Sequence, residues 1–274
     1  QMTRWIDKVN SVLNVYLGGQ AGGEATYNLL YGNVNPSGKL AETFPFRNGD
    51  NIVANYFPMG PRQVEYREGI YVGYRYYDKA EMDVQFPFGY GLSYTTFEYS
   101  NMSYTFDKEA STYTIKVTVK NTGSVAGKET VQIYVSSPYT QYDITNKVEK
   151  ASVQLVGFGK TKTLEPGKSE ELTIVVDGDN VASYDAYGAG TYIMDEGDYY
   201  FTAATDAHNA ANNVLAAKGF TPANTNGRMD VAGNASLVVK WNNPTFDKTT
   251  YATSDAGVEI KNQLDSADPN KNDQ

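Results

Sequence analysis

The strongest constraint on the fold is a change of hydrophobic period part-way along the chain. From about Glu98 onward apolar residues alternate with polar ones, so that Tyr113, Ile115, Val117 and Val119 interleave with Thr114, Lys116, Thr118 and Lys120. A period of two puts every second side chain on one face, which predicts an antiparallel strand with one buried and one wet face. The alternation recurs at Val131, Ile133 and Val135, at Leu172, Ile174 and Val176, and at Tyr199, Phe201 and Ala203. Turn-forming residues separate the runs, at Asn121 to Gly123, Glu165 to Gly167 and Glu196 to Asp198.

Further strands near 99–105 and 151–158, and a last one at Leu237, Val239 and Trp241, bring the count to seven. Seven short alternating strands fit a β-sandwich of immunoglobulin or fibronectin type, without the cysteine pair of an antibody domain. Between the last two strands, Ala207, Ala210, Ala211, Val214 and Leu215 fall at i, i+3, i+4, i+7 and i+8. That spacing predicts an inserted amphipathic helix near 206–219, with Asp206 as N-cap and Gly219 as stop. Residues 242–274 hold few large apolar side chains, and the last ten hold none. Such a composition does not order itself by burial and reads as a polar linker.

The first 97 residues follow a different rule. Val12, Leu13, Val15, Tyr16 and Leu17 form a nearly continuous apolar run, the pattern of a parallel strand covered on both faces. Gly18, Gly19, Gly22 and Gly23 follow, then Tyr27, Leu30 and Tyr31 at helical spacing, with Gly32 as the stop. Strand, glycine loop and helix make an α/β unit. The loop has neither the P-loop lysine nor GxGxxG spacing, so its glycines read as a tight turn rather than a phosphate cradle. Asn35-Pro-Ser-Gly38 is a further turn. Residues 41–68, with Pro45, Pro58 and Pro61, read as a long irregular connection, and the aromatic stretches at 68–78 and 86–91 as a linker packed by its own rings. The fold class is therefore an α+β multidomain fragment, divided at 1–97, 98–241 and 242–274.

Composition removes several functions. The chain of 274 residues is long enough to bury a real core, and its 23 Lys plus Arg against 32 Asp plus Glu give a charge of −9. That sign repels nucleic-acid phosphates and anionic lipid surfaces. No cysteine is present, which excludes disulfides, thiolate metal sites and cysteine nucleophiles, but leaves the compartment open between bacterial cytoplasm and secretion. No apolar run approaches the roughly 20 residues that span a bilayer. Gln1 and the mixed polar residues after it read as a fragment whose targeting sequence, if any, lies elsewhere. The 23 tyrosines suit both strand packing and sugar stacking.

Candidate chemistry is sparse. His208 is the only histidine, it sits beside the apolar stripe of the inserted helix, and no GxSxG elbow accompanies it, which argues against a Ser-His-Asp triad or a zinc site. Paired carboxylates remain, since glycoside cleavage needs one acid and one nucleophile or base. Glu65, Glu68, Asp78, Glu81 and Asp83 cluster in sequence, although each also suits an ordinary ion-paired surface role. Asn101-Met-Ser and Asn234-Ala-Ser match the N-glycosylation pattern, which stays bare in a bacterial protein.

Three segments in order resemble family 3 glycoside hydrolases of β-glucosidase type. The first is Gly19-Gln-Ala-Gly-Gly23 with Leu30-Tyr-Gly-Asn-Val-Asn-Pro-Ser-Gly-Lys-Leu40, similar to the end of that family's α/β sandwich domain. The others are Glu68-Gly-Ile-Tyr-Val-Gly-Tyr-Arg-Tyr-Tyr-Asp78 and Phe86-Pro-Phe-Gly-Tyr-Gly-Leu-Ser-Tyr-Thr-Thr-Phe97. Val117-Thr-Val-Lys-Asn-Thr-Gly123 and Ala126-Gly-Lys-Glu-Thr-Val-Gln-Ile-Tyr-Val135 resemble the fibronectin type III-like domain that follows in many members. The inserted helix and the tail depart from the common pattern.

The resemblance implies a retaining hydrolase with an aspartate nucleophile in a barrel and a glutamate acid/base ahead of the Gly19-Gln20 segment. Both positions fall outside this chain, so no residue here receives a catalytic, cofactor or metal role. The expected partners are a glycoside or oligosaccharide substrate of the parent enzyme, a β-glucoside or alternatively a β-xyloside, and the remaining sandwich and barrel. Tyr251-Ala-Thr-Ser254 and the stretch from Asn262 to Asp268 resemble the connection into the barrel of circularly permuted members, which suggests a barrel downstream. The competing reading is a fibronectin-like structural, carbohydrate-binding or adhesion module without hydrolase activity.

Overall fold

A computed structural model describes residues 2–58, 66–263 and 266. Among these the strands are β1 (Phe97–Asp107), β2 (Thr112–Asn121), β3 (Thr130–Ser136), β4 (Gln154–Lys160), β5 (Ser169–Asp177), β6 (Ser183–Asp185), β7 (Thr191–Ile193), β8 (Gly197–Ala204) and β9 (Val238–Asn243). Seven of them build a sandwich of two antiparallel sheets, ordered β1-β2-β5 and β4-β3-β8-β9. The pair β6-β7 is a separate small hairpin that no long alternation announces.

The register follows the hydrophobic pattern. Tyr113, Ile115 and Val117 of β2 lie opposite Val176, Ile174 and Leu172 of β5. All of them belong to one core with Val131, Ile133 and Val135 of β3 and with Tyr199, Phe201 and Ala203 of β8. A one-residue slip would turn this whole set outward, which is why the pairing is strongly specified. Trp241 of β9 closes the core beside Tyr113, with ring centroids 5.0 Å apart.

β3 departs from simple alternation, because all but its first residue are buried. The helices α1 (Gly22–Leu30), α2 (Tyr74–Lys79), α3 (Gln141–Asn146) and α4 (Ala207–Ala217) explain why. α4 and α2 lie on the outer face of the four-stranded sheet, where Tyr134 packs with Tyr74, Ala207, Ala210 and Val214 in a second core. The molecule is thus three-layered at this point. Asp206 caps α4 by accepting from the Asn209 N–H at 2.8 Å, as its spacing predicts. The expectation that 68–78 is only an aromatic linker is corrected, since Tyr74 and Tyr77 are buried on one face of α2.

Residues 35–40 and 86–95 are laid against the sandwich. Asn35 donates to Ala126 O at 3.1 Å and accepts from Ser93 Oγ and the Tyr94 N–H, each at 2.8 Å. Lys39 pairs with Glu129 at 3.0 Å, and Tyr99 donates to the same carboxylate at 2.7 Å. Gln132 on β3 donates to Gly89 O and Thr205 O at 3.0 and 2.7 Å. A Cβ on residue 89 would fall 2.0 Å from Gln132 Oε1, so the close approach requires glycine.

Two expectations are corrected. The run 12–17 forms no strand among the described residues, and Leu17 is fully exposed. A parallel strand needs neighbours to take its N–H and C=O groups, and none flanks it here. The helix after it does form, ending just before Gly32 at φ +72°. The tail from 242 is not wholly linker either. Met194 and Asp247 exchange backbone hydrogen bonds at 2.8 Å, and Tyr251 is buried in the sandwich core with its hydroxyl 2.7 Å from Ser111 Oγ. One large ring anchors a segment whose composition is otherwise polar. The final ten residues, except Ser266, lie outside the described residues.

The register generates a direct test. Val117→Asp buries an unpaired charge at a fully buried site and is expected to destabilise by more than about 4 kcal/mol. Lys116→Gln removes only an exposed pair with Glu171 and should cost within about 1 kcal/mol. Urea denaturation of both variants checks this, and equal midpoints would contradict the register.

Candidate functional site

The carboxylates grouped by sequence separate in space according to what α2 presents. Glu65 lies outside the described residues. Glu68 is half-buried in the turn before α2, and Asp83 is exposed beyond it. Glu81 is exposed, 3.6 Å from Arg228. Asp78, whose side chain is only 10% exposed, accepts from His208 Nδ1 at 2.9 Å. Asp78, Glu81 and Asp83 share one cleft with His208, between α2, α4 and the loops at 136–139, 150–152 and 227–230.

His208 was set apart in the sequence by being alone, yet it is the centre of this site. Its Nε2 lies 2.9 Å from Asp230 Oδ1, so a carboxylate occupies each ring nitrogen. The hydrogen bond to Asp78, opposed by burial and reinforced by both negative charges, pushes its pKa up to about 9. Burial works against Asp230, but hydrogen bonds from Asn212 and His208 outweigh it and hold that carboxyl low. An imidazolium with both nitrogens engaged has no lone pair for general-base work near neutrality. It acts instead as a clamp joining α2, α4 and the 228–231 turn.

A second charged group had no sequence signal, because its members are scattered along the chain. Lys150 donates to Asp143 at 3.0 Å, to Asp195 and to Pro138 O at 2.9 Å, and all three charged residues are buried. Asp143 also accepts from the Thr140 N–H at 2.6 Å, closing the capping box of α3. Burial pushes Asp195 upward, with Lys150 opposing it. Such a group fixes local geometry, since loss of one partner strands a buried charge. Among the described residues no group of three or more His, Asp or Glu side chains is arranged to hold a metal ion.

The other conspicuous surface is apolar. Val12, Leu13, Val15 and Tyr16 are each at least a third exposed, and Tyr27, Leu30 and Tyr31 of the neighbouring helix are more exposed still. Leu13 and Val15, with Ala25 and Leu29 of the helix, line a groove beside the glycine loop. Contiguous apolar surface of this kind marks a contact face rather than a solvated one.

Residues 1–94 match the glycosyl hydrolase family 3 C-terminal domain, and residues 129–207 match a fibronectin type III-like domain. This chain carries the C-terminal domain module of family 3 glycosyl hydrolases. Thermostable beta-glucosidase B of Acetivibrio thermocellus is 49% identical over 177 residues, which are 63% of this chain and 22% of that protein. Beta-glucosidase A of Butyrivibrio fibrisolvens is 37% identical over 229 residues, 76% of this chain and 27% of that protein. Beta-glucosidase 3B of Thermotoga neapolitana, solved in complex with alpha-D-glucose, superposes with a TM-score of 0.71 at 32% identity, covering 89% of this chain and 30% of the other. The chain therefore spans about a quarter of the length of the curated relatives named here. The family 3 segment accounts for about the first third of the chain, and the fibronectin-like match ends at the start of α4.

The raised pKa of His208 makes stability depend on pH. Folding favours the imidazolium, so its contribution is fully present below the ordinary value of 6.5 and is lost as pH rises through about 9. With the side chain 36% exposed, solvent screening reduces this to about 1–2 kcal/mol. His208→Gln should lower the melting temperature at pH 6, and the gap to wild type should close toward about pH 10. A gap independent of pH would contradict the clamp.

Proposed function

We propose that this chain is the non-catalytic portion of a retaining β-glucosidase, serving to complete the α/β domain and brace it with the fibronectin-like sandwich. The observation that carries the reading is the exposed apolar run at 12–17 with its adjoining helix, an α/β unit without flanking strands. Burying that face needs the rest of a parallel sheet. In this reading the partners are the remaining sandwich segment and a barrel, and the substrate of the whole enzyme is a β-linked glucoside. The division at 97 is kept as a domain limit, and the sandwich is extended beyond 241 to take in the strap through Tyr251. The barrel is placed downstream, supported by the similarity of 251–254 and 262–268 to the connection in permuted members.

The chemistry is consistent with this division of labour. A retaining mechanism needs two carboxyl groups about 5–5.5 Å apart with the sugar between them. Asp78 is already committed to His208 and Glu81 faces Arg228. The product of the complete open reading frame is expected to release aglycone from an aryl β-glucoside, while the 274-residue chain does not. Turnover by the chain alone that disappears in Glu68→Gln would overturn the reading. So would a complete product that binds glycosides without hydrolysing them, as an adhesion module does.

A further inference from the structure

Helix α1 is apolar on two opposite sides, and only one of them belongs to the groove that the proposed function fills. Ala25, Thr26 and Leu29 line that groove with Leu13 and Val15. At about 100° of turn per residue, Tyr27 and Tyr31 stand about 200° round the helix from Ala25 and Leu29, on the far side. Their rings lie against each other with centroids 4.5 Å apart. Tyr27, Tyr31 and the neighbouring Leu30 are each more than half exposed. A helix with apolar residues on both sides is a buried helix, and a sheet covers only one side of it.

The charge pattern agrees. Charged residues make up 20% of the chain, yet none occurs from Ala25 to Gly38. A solvated helix face carries charge, whereas the core of an interface is depleted of it and enriched in tyrosine. The face is also held firmly. Tyr94 donates to Leu29 O at 2.7 Å and the Val34 N–H to Asn28 O at 3.2 Å, while Asn35 joins the turn after the helix to Ala126 O at 3.1 Å. Rings fixed in advance make good anchors, because little freedom is lost on contact.

The occupant follows from what lies outside the chain. The matched segment is 22% of one curated relative and 27% of another, so most of such a protein lies elsewhere. In the proposed function that remainder is the rest of the α/β sheet and a barrel. The sheet takes the groove side of α1, and the barrel is the domain left for the other. We propose that Tyr27, Leu30 and Tyr31 form the surface of this chain on which the barrel docks, through an apolar and uncharged patch of its own. The inference rests on the proposed function and adds the contact that sets the sandwich relative to the barrel, because Tyr94 and Asn35 tie the same helix and its following turn to the sandwich.

Photo-crosslinking in the product of the complete open reading frame tests the contact. With p-benzoylphenylalanine in place of Tyr31, irradiation is expected to join this position to barrel peptides, and in place of Ala25 to peptides of the remaining sheet. Cross-links from position 31 to the sheet, to a second copy of the protein or to no peptide overturn the proposal. A second readout separates docking from a role in folding. Leu30→Ser combined with Tyr31→Ser should lower the melting temperature of the complete product by several degrees and leave that of the 274-residue chain unchanged, since there both side chains already meet water. Equal shifts in the two proteins overturn the proposal. Hydrolysis of an aryl β-glucoside is scored on the same product. A hydrolase whose position 31 reaches no barrel peptide sinks the docking alone, and an open reading frame that encodes no barrel sinks both. A product that cross-links as expected without hydrolysing supports the contact and overturns the proposed function.

Discussion

The outer face of the four-stranded sheet is the surface on which the rest of the structure depends. β3 presents Val131, Ile133 and Val135 to the sandwich core and Gln132, Tyr134 and Ser136 to the opposite side, and both sets are buried. Gln132 carries most of the polar cost of that second burial. Its amide donates to Gly89 O and Thr205 O, and its oxygen accepts from Tyr134 at 2.7 Å. One side chain therefore joins the front segment, the start of α4 and the sheet. The rings of Tyr74 and Phe88, 4.9 Å apart, complete the contact.

The electrostatics serve the same end. A chain of net charge −9 would be expected to keep its few cations on the surface for solubility. Instead Lys39, Lys150 and the imidazolium of His208 each sit at a junction between elements, paired with carboxylates that the surrounding fold buries. Lys39 joins the front segment to β3 through Glu129. Lys150 secures α3 to the turn before β8, and His208 joins α2 to α4. Charged pairs of this type add little net stability, but removal of either member is costly, so they select one arrangement over its alternatives.

The two ends of the chain differ in how complete their burial is. The sandwich has a closed core, to which the strap contributes the ring of Tyr251. The run at 12–17 and its helix leave apolar surface uncovered. A segment that is part of a larger sheet has this appearance, and the match of residues 1–94 to the C-terminal domain of family 3 hydrolases agrees with it.

The sequence alone determined the elements whose physics is local or periodic. Two-residue alternation identified the strands of the sandwich and their inward faces, and i, i+3, i+4 spacing with Asp206 identified α4. Motif resemblance identified the family. What it could not contain was contact between residues far apart along the chain. The buried outer face of β3 depends on α2 and α4 arriving from 58 positions before and 75 after Gln132, as its buried partners Tyr74 and Ala207 show. The same holds for His208, which reads as a bystander to an apolar stripe until folding sets Asp78 and Asp230 on its two nitrogens. Tyr251 was hidden in a polar tail because one buried ring barely alters a composition, although it is enough to hold a strap. The absent strand at 12–17 fails for the converse reason: its residues have the right pattern, but a strand is a property of a pair, and the neighbours that would bond it are not among the described residues.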